Sequence, residues 1–282
     1  MANLFGEVRL SGTSTYNKIE EYVKDIHIHD YQLCTLYTYR DLPKKLKYTF
    51  RNDDTGFGLC GEWFFVHDVG YDQVKLKVAQ GYSCNCLYKY PGAVKRVEIQ
   101  YDLNEVFNRS NYNAKKWNKH ITQGLNFFAE HNITIKPITH HELSTALALY
   151  NEWCDCKLND GKTFKIMFPQ GRYRRCLEYS VETGLDSLLA LGAFLDGELI
   201  GFRVVGLCGS YCYDLAYVTT RNKKICTDFS ERFNINMLKY LKDNYGIQYF
   251  NCGLAEGSLK SFKQHFPNTE VIFYRYTKSS VK

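Results

Sequence analysis

The strongest constraint on the fold is a predicted β-hairpin in the second half of the chain. Two apolar runs, 188–195 and 198–205, are separated only by the dipeptide Asp196-Gly197. Asp-Gly between two such runs favours a two-residue turn whose twist matches that of the paired strands. A third strand, predicted from Tyr211 to Val218, follows the link at 206–210. These strands together predict an antiparallel meander.

Predicted helices stand on both sides of this meander. Thr139 and Glu142 have the spacing of a capping box in front of an amphipathic run. Asp228 and Glu231 mark the start of another helix, and Gly246 marks its end. The order of the other predicted elements is a strand at 133–138, a helix at 171–183, a strand at 247–251, a short helix at 258–265 and a strand at 271–276. This order predicts an α/β (α+β) fold in which helices pack on a mixed sheet.

The first half of the chain reads mostly as strands. Alternation of apolar and polar residues at 74–78 and 97–101 predicts half-buried strands, and the polar segment 102–113 predicts turns. A helix is predicted at 114–130. Domains average about 150 residues, so 282 residues suggest two domains or one large one. The polar turn after the helix predicts a strand-rich N-terminal domain at 1–131 and a C-terminal domain at 132–282.

Composition favours a cytoplasmic protein without disulfides. The 11 cysteines are an odd number and are scattered, which predicts free thiols and no metal site. Glu7 and Arg9 interrupt the start of the chain, so no signal peptide is expected. We find no run of about 18 uncharged apolar residues, and therefore expect no transmembrane helix. The net charge of +6 weakly favours an anionic partner.

Three short motifs in the C-terminal part resemble one enzyme superfamily. They are Tyr213-Asp214-Leu215-Ala216-Tyr217, Phe250-Asn251-Cys252-Gly253-Leu254 and Leu259-x-x-Phe262-Lys263-x-x-Phe266-Pro267. Together with the element order, they resemble the GNAT acyltransferases. The resemblance is greatest to the aminoacyl-transferring branch, which includes the C-terminal domains of lysylphosphatidylglycerol synthases and the Fem-type transferases. It implies a GNAT-like mixed sheet, in tandem with a degenerate N-terminal domain.

One departure from the superfamily concerns the donor. Members that use CoA have a Gly-rich loop whose backbone N–H groups hold the pyrophosphate. Here the corresponding segment 221–226 contains no glycine, and bulky residues hinder close approach of the backbone. This favours aminoacyl-tRNA as co-substrate, so that tRNA would be a partner. Acyl-CoA stays an alternative because it is prevalent in the superfamily. No permanently bound cofactor is expected.

Four residues are candidates for catalysis. The resemblance implies that Asp214 orients or deprotonates the attacking amine and that Lys263 stabilises the oxyanion or the departing oxygen. Asn251 would present its amide to the ligand, and Tyr217 would act as an acid for the leaving group. Each has a structural alternative: an acid paired with Arg or Lys, a surface lysine, a turn residue and a core aromatic. At i+3 from Asp214, Tyr217 is expected on the opposite face of the strand.

Basic residues are candidates for binding the donor, because cationic side chains hold phosphates. Solvated charged faces are the alternative for most of them. The candidates are Lys116, Lys119, Arg172, Arg175, Arg221, Lys223 and Lys260.

The leading interpretation is a transferase that moves an acyl or aminoacyl group onto an amine or hydroxyl. A small-molecule or peptide acceptor suits a chain without membrane helices. The alternative is a nucleic-acid-binding protein that is non-catalytic or modifies bases. The Lys-, Asn- and Tyr-rich composition would suit an AT-rich genome such as that of a phage, so this alternative includes a phage-encoded protein.

Overall fold

A computed structural model of the chain describes residues 8–9, 49–59, 62–65, 69–108, 115–159, 172–183, 188–208, 210–220, 225, 228–255, 260, 263–264 and 266–281. The helices within these ranges are α1 Tyr71–Ala79, α2 Leu103–Phe107, α3 Lys115–Glu130, α4 His140–Asn159, α5 Arg172–Thr183 and α6 Phe229–Tyr245. The strands are β1 Val8–Arg9, β2 Thr49–Asp53, β3 Gly56–Leu59, β4 Glu62–Phe65, β5 Ser83–Cys86, β6 Val94–Asp102, β7 Thr134–Pro137, β8 Leu188–Leu195, β9 Glu198–Cys208, β10 Tyr211–Thr219, β11 Tyr249–Leu254 and β12 Thr269–Tyr276.

Contacts between residues divide the chain into two units. Unit 1 comprises Met1–Gln100, Gly253–Lys263 and Thr269–Lys282. Unit 2 comprises Tyr101–Cys252 and Gln264–Asn268. The domain border between residues 131 and 132 stays a prediction.

The strands of unit 2 form a mixed sheet in the order β11-β10-β9-β8-β7. Strands β7 to β10 pair antiparallel with their neighbours, whereas β10 and β11 run parallel. Asp196 and Gly197 connect β8 to β9 with φ angles of 50° and 84°. Two successive positive φ angles are what the tight hairpin turn requires. The predicted meander is confirmed.

Helix α6 buries the predicted apolar stripe of Phe229, Phe233, Met237 and Leu241. It ends at Gly246, which has a φ of 65° and is the left-handed residue that a helix C-cap favours. Helix α3 packs on α6, and a Cβ at Gly124 would lie 2.8 Å from Cδ1 of Ile235. Only glycine therefore allows this approach of the two helices without a shift.

The N-terminus of α4 has the predicted capping box. The backbone N–H of Thr139 donates to the Glu142 carboxylate at 2.9 Å, and the Thr139 hydroxyl also donates to it. In return, the hydroxyl oxygen of Thr139 accepts from the N–H of His141 at 3.3 Å. The reciprocal bonds satisfy backbone donors that the helix leaves without intrahelical partners.

The strands of unit 1 follow the order β1-β2-β3-β4-β5-β12-β6. Their pairings are antiparallel except for the parallel pair of β4 and β5. The C-terminal strand β12 thus lies between β5 and β6. Side chains from β4, β5, β12 and α1 share a core, whose buried members include Trp63, Val74, Val78, Cys84 and Tyr276.

The strand predicted at 74–78 is wrong, because this segment lies in helix α1. Val74, Lys77 and Val78 are buried, a spacing of three and four residues, whereas Leu76 is 50% exposed. The alternation of apolar and polar residues at 74–78 was misleading because Lys77, a charged residue, is buried. Its ammonium pairs with the carboxylate of Asp53 and lies 3.5 Å from the ring centroid of Trp63. A charge can be buried when it is paired in this way.

Strand β6 is present as predicted, but it is not half-buried. Glu98 and Gln100 are buried together with Ile99 and Tyr101. The turn-rich segment predicted at 102–113 contains the short helix α2. Its N-cap is Asp102, whose carboxylate accepts from the backbone N–H of Asn104 at 2.9 Å. Among the described residues, no helix is long and apolar enough to cross a membrane.

Candidate active site

Strand β10 contains a β-bulge at its centre. Asp214 lies opposite Val205 of β9, and Ala216 lies opposite Val204, so the register shifts between them. Leu215 is the additional residue. A bulge bends the strand and disturbs the alternation of side chains between the two faces.

The parallel pairing of β10 and β11 ends just before this bulge. It joins Tyr211–Tyr213 to Tyr249–Asn251 and does not continue along these two strands, both of which are described throughout. Beyond Tyr213, β10 remains paired with β9 on its other side as far as Thr219. The sheet of unit 2 therefore opens at Asp214, towards the carboxyl ends of two parallel strands, where α/β sheets commonly bind ligands.

Asp214 forms an ion pair with Arg203, which lies on β9. The Nε of Arg203 donates to Oδ1 of Asp214 and its Nη2 donates to Oδ2, each at 3.1 Å. The remaining Nη1 donates to Oδ1 of Asn234 on α6 at 2.7 Å. The side chains of Arg203 and Asp214 are 4% and 16% exposed. Three elements of unit 2 thus meet in one buried polar network.

Aromatic rings enclose the guanidinium of Arg203. Its Cζ lies 4.5 Å from the ring centroid of Tyr217 and 4.7 Å from that of Phe250. Burial opposes the charge of Arg203, but the carboxylate of Asp214 together with the neighbouring Tyr217 and Cys252 outweighs this effect, so that the pKa of Arg203 lies above its usual value. Arg203 is therefore a fixed cation beside Asp214.

Tyr217 contacts the same guanidinium as Asp214, so the prediction that the two point to opposite faces is wrong. The additional residue in the bulge changes the alternation on which that prediction relied. The Tyr217 hydroxyl donates to the backbone carbonyl of Ser230 on α6. Burial raises the pKa of Tyr217. A phenol that holds its proton more tightly is a poorer acid for a leaving group.

Asn251 is the last residue of β11 in the ladder with β10, opposite Tyr213. It is 3% exposed and lies where the sheet opens. The next residue, Cys252, is also buried and forms a hydrogen bond with the hydroxyl of Tyr101. The structure therefore places Asn251 near the opening, and its role in catalysis stays a prediction.

Lys263 and Lys260 belong to unit 1. The segment predicted as a short helix at 258–265 lies largely outside the described residues. Lys260 forms an ion pair with Glu270 at 2.8 Å and is 38% exposed. Lys263 is half-buried. That Lys263 and Asp214 act on one substrate stays a prediction.

The candidates for donor binding are spread over several elements. Lys116 lies on α3 and Arg172 and Arg175 lie on α5, but their side chains are outside the described part of the structure. Lys119 is exposed on α3. Arg221 and Lys223 are outside the described residues. Donor binding by these residues stays a prediction.

Sequence reasoning missed Arg203 and Asn234. A signal for Arg203 was present, because it is an isolated cation in the apolar run Phe202-Arg203-Val204-Val205. A buried arginine needs a buried partner, and the predicted neighbouring strand offers Asp214 as a carboxylate. Asn234 follows Phe233, a member of the buried apolar stripe of α6, and nothing in the sequence around it indicated a partner for Arg203.

In the described part of the chain, no group of three or more His, Cys, Asp or Glu side chains could hold a metal ion. Seven cysteines with described side chains are free: Cys154 and Cys156, which are half-buried, and Cys84, Cys86, Cys176, Cys212 and Cys252, which are buried.

Comparisons with known proteins identify the fold. No protein-family model and no curated protein sequence matches the chain. A conserved protein of unknown function from Bacteroides thetaiotaomicron VPI-5482 is 13% identical in sequence, with a TM-score of 0.64 over 96% of this chain and 98% of the other. FemX is 10% identical, with a TM-score of 0.57 over 96% of each chain. L-PGS from Bacillus licheniformis is 12% identical, with a TM-score of 0.54 over 94% of this chain and 92% of the other.

The fold is GNAT-like. The resemblance in fold to the lysylphosphatidylglycerol synthases and the Fem-type transferases, expected from the sequence, is confirmed. The predicted fold class, a GNAT-like mixed sheet with packed helices, is confirmed as well. At identities of 10% and 12%, the likeness to these two proteins shows the fold and not a reaction.

Proposed function

We propose that this protein is a transferase that moves an acyl or aminoacyl group onto an amine or hydroxyl acceptor. The observation that carries the proposal is the opening of the sheet between β10 and β11 at Asp214. Beyond Tyr213, the backbone N–H groups of β10 that point away from β9 have no ladder partner in β11, so they can donate to a ligand carbonyl. The fold likeness to FemX and L-PGS supports the same class of reaction.

Asp214 suits the task of orienting the acceptor. Each of its carboxylate oxygens accepts one hydrogen bond from Arg203, and each retains capacity for another. An N–H or O–H of the acceptor can donate a hydrogen bond to one of these oxygens, because part of the Asp214 side chain is exposed. The bond to the acceptor nitrogen or oxygen then forms at the acyl carbon, while the bond from that carbon to the donor oxygen or sulfur breaks. The proton of the acceptor ends on the leaving group.

The role of Lys263 and the identity of the donor are predictions from the sequence. Lys263 would stabilise the oxyanion or the departing oxygen, because a cation lowers the energy of a developing negative charge. The donor would be aminoacyl-tRNA or acyl-CoA, held by basic residues that include Lys119. A segment without glycine at 221–226 and the likeness to FemX and L-PGS support the aminoacyl donor.

The test is a transfer assay with both donor classes. Purified protein is incubated with ¹⁴C-acetyl-CoA or with ¹⁴C-aminoacyl-tRNA and a panel of amines, peptides and hydroxyl compounds. We expect labelled acceptor from one donor class, and mass spectrometry of the purified protein should detect a retained donor of that class. Lys239→Ala alters an exposed ion pair with Asp243 on α6. It is the control variant and should transfer label as the wild type does. Folded protein that transfers neither label to any acceptor and retains no donor would overturn the proposal.

A further inference from the structure

We infer that Arg203 and Asn234 are positioning residues that fix the orientation of the Asp214 carboxylate. The inference rests on the proposed function, in which Asp214 orients the acceptor. Arg203 binds Asp214 through two nitrogens and Asn234 through the third. A guanidinium is planar, so a bond at Nη1 restrains the direction in which Nε and Nη2 point.

The burial of the network shows how Asn234 can influence the acceptor. Asn234 is 2% exposed and the Arg203 side chain is 4% exposed, whereas the Asp214 side chain is 16% exposed. A substrate at the opening can therefore contact Asp214, but Asn234 acts on it only through Arg203. Small errors in the placement of a reacting group reduce the rate strongly.

The rings of Tyr217 and Phe250 also contact the guanidinium. They lie at 4.5 Å and 4.7 Å from Cζ, so the guanidinium cannot tilt freely. Tyr217 is itself held by α6, through the carbonyl of Ser230. The helix thus supports the Asp214 carboxylate at two points, Ser230 and Asn234, four residues apart.

Two asparagines on α6 provide a matched pair of variants. Asn234→Ala removes the oxygen that accepts from Nη1 of Arg203 and leaves the Asp214 and Arg203 side chains in place. Asn236→Ala removes a side chain of the same type from the same helix. The Nδ2 of Asn236 donates to the carbonyls of Gly124 and Arg232 at 2.8 Å each. Both variants lose hydrogen bonds within unit 2, one buried at Asn234 and two partly buried at Asn236, so both should lower the melting temperature.

Only Asn234→Ala should change catalysis. We expect kcat to fall by roughly tenfold or more, as for a lost hydrogen bond to a charged group, while the KM for the donor is unchanged. Asn234→Asp keeps an oxygen acceptor at the same place and should restore most of kcat. In a background of Asp214→Asn, Asn234→Ala should cause no further loss. Equal kcat for the two alanine variants, or full additivity in the double variant, would overturn the inference.

A second measurement does not depend on turnover. The hydrogen exchange of the Arg203 Nε–H, followed by NMR, reports the bond to Asp214. It should be about tenfold faster in Asn234→Ala than in Asn236→Ala, because the guanidinium is less restrained. Equal exchange rates would overturn the positioning role. If the wild type transfers no acyl group, the proposed function fails, and the exchange rates still decide whether Asn234 positions the Arg203–Asp214 pair.

Discussion

Arg203 on β9 donates a hydrogen bond to each carboxylate oxygen of Asp214 on β10, at 3.1 Å in both cases. The sequence left two roles open for Asp214: orientation of an acceptor, or a structural pair with a basic residue. The ion pair satisfies the structural role. The partial exposure of Asp214 at the opening of the sheet leaves it accessible to an acceptor as well. Both roles can therefore belong to the same carboxylate, and variants can separate their contributions.

Replacement of Asp214 by Asn should reduce both turnover and stability. Asn keeps the shape and one acceptor but removes the charge opposite the buried Arg203. We expect turnover to fall by roughly 10² to 10³ and the free energy of unfolding to fall by about 1–3 kcal/mol. Steady-state kinetics and urea denaturation measure the two effects. A variant that loses stability and keeps wild-type turnover would show that Asp214 is only structural.

Replacement of Arg203 by Met should lower the free energy of unfolding more than replacement of Asp214 by Asn. It leaves the Asp214 carboxylate without its partner and Asn234 without a donor, and breaking a buried ion pair costs about 3–5 kcal/mol. Arg203→Lys keeps the charge but cannot bind both oxygens and Asn234 together, so its loss should be intermediate. Arg174→Met provides the control, because the pair of Arg174 with Glu178 is exposed and should change the unfolding midpoint little. Equal midpoints for the two Met variants would contradict this account.

The stability of unit 2 should depend on pH through Glu142. Hydrogen bonds from the Thr139 side chain, assisted by its backbone N–H and by Lys136, lower the pKa of Glu142 to about 2. The usual value is 4.5, so the contribution is present above pH 4.5 and disappears as the pH falls towards 2. Since Thr139 and Lys136 are exposed and Glu142 is half-buried, we expect a contribution of about 1 kcal/mol.

Thermal unfolding of Glu142→Gln between pH 2 and 7 provides the test of this contribution. The variant should melt below the wild type at pH 7, and the two should converge near pH 2. Glu152→Gln removes an exposed carboxylate from the same helix and should match the wild type throughout. A difference that persists unchanged at pH 2 would mean that the capping carboxylate is not its source.

The cysteines should differ in reactivity in the native protein. Burial raises the pKa of Cys84 to about 12, and burial also raises that of Cys212. Thiols react as thiolates, so both should resist iodoacetamide at pH 8, whereas the more exposed Cys156 should react faster than either. After unfolding without reductant, all 11 thiols should be alkylated. Peptide mapping by mass spectrometry measures each site, and rapid native modification of Cys84 would refute the prediction.

The sequence by itself determined the elements whose rules are local. The Asp196-Gly197 turn, the capping box of Thr139 and Glu142, and the apolar stripe of α6 all appear where they were predicted. Each depends on residues within a few positions of one another, so that backbone preference and hydrophobic spacing are sufficient.

Tertiary structure decided everything that depends on partners distant in the chain. The five residues 74–78 fit either a strand or a helix by pattern, and the pairing of Lys77 with Asp53 allowed the helix to bury a charge. The place of β12 between β5 and β6 is a long-range choice as well. The site follows the same principle. A bulge at Leu215 sets which side chains of β10 face Arg203, and strand register depends on the whole sheet, not on the local sequence.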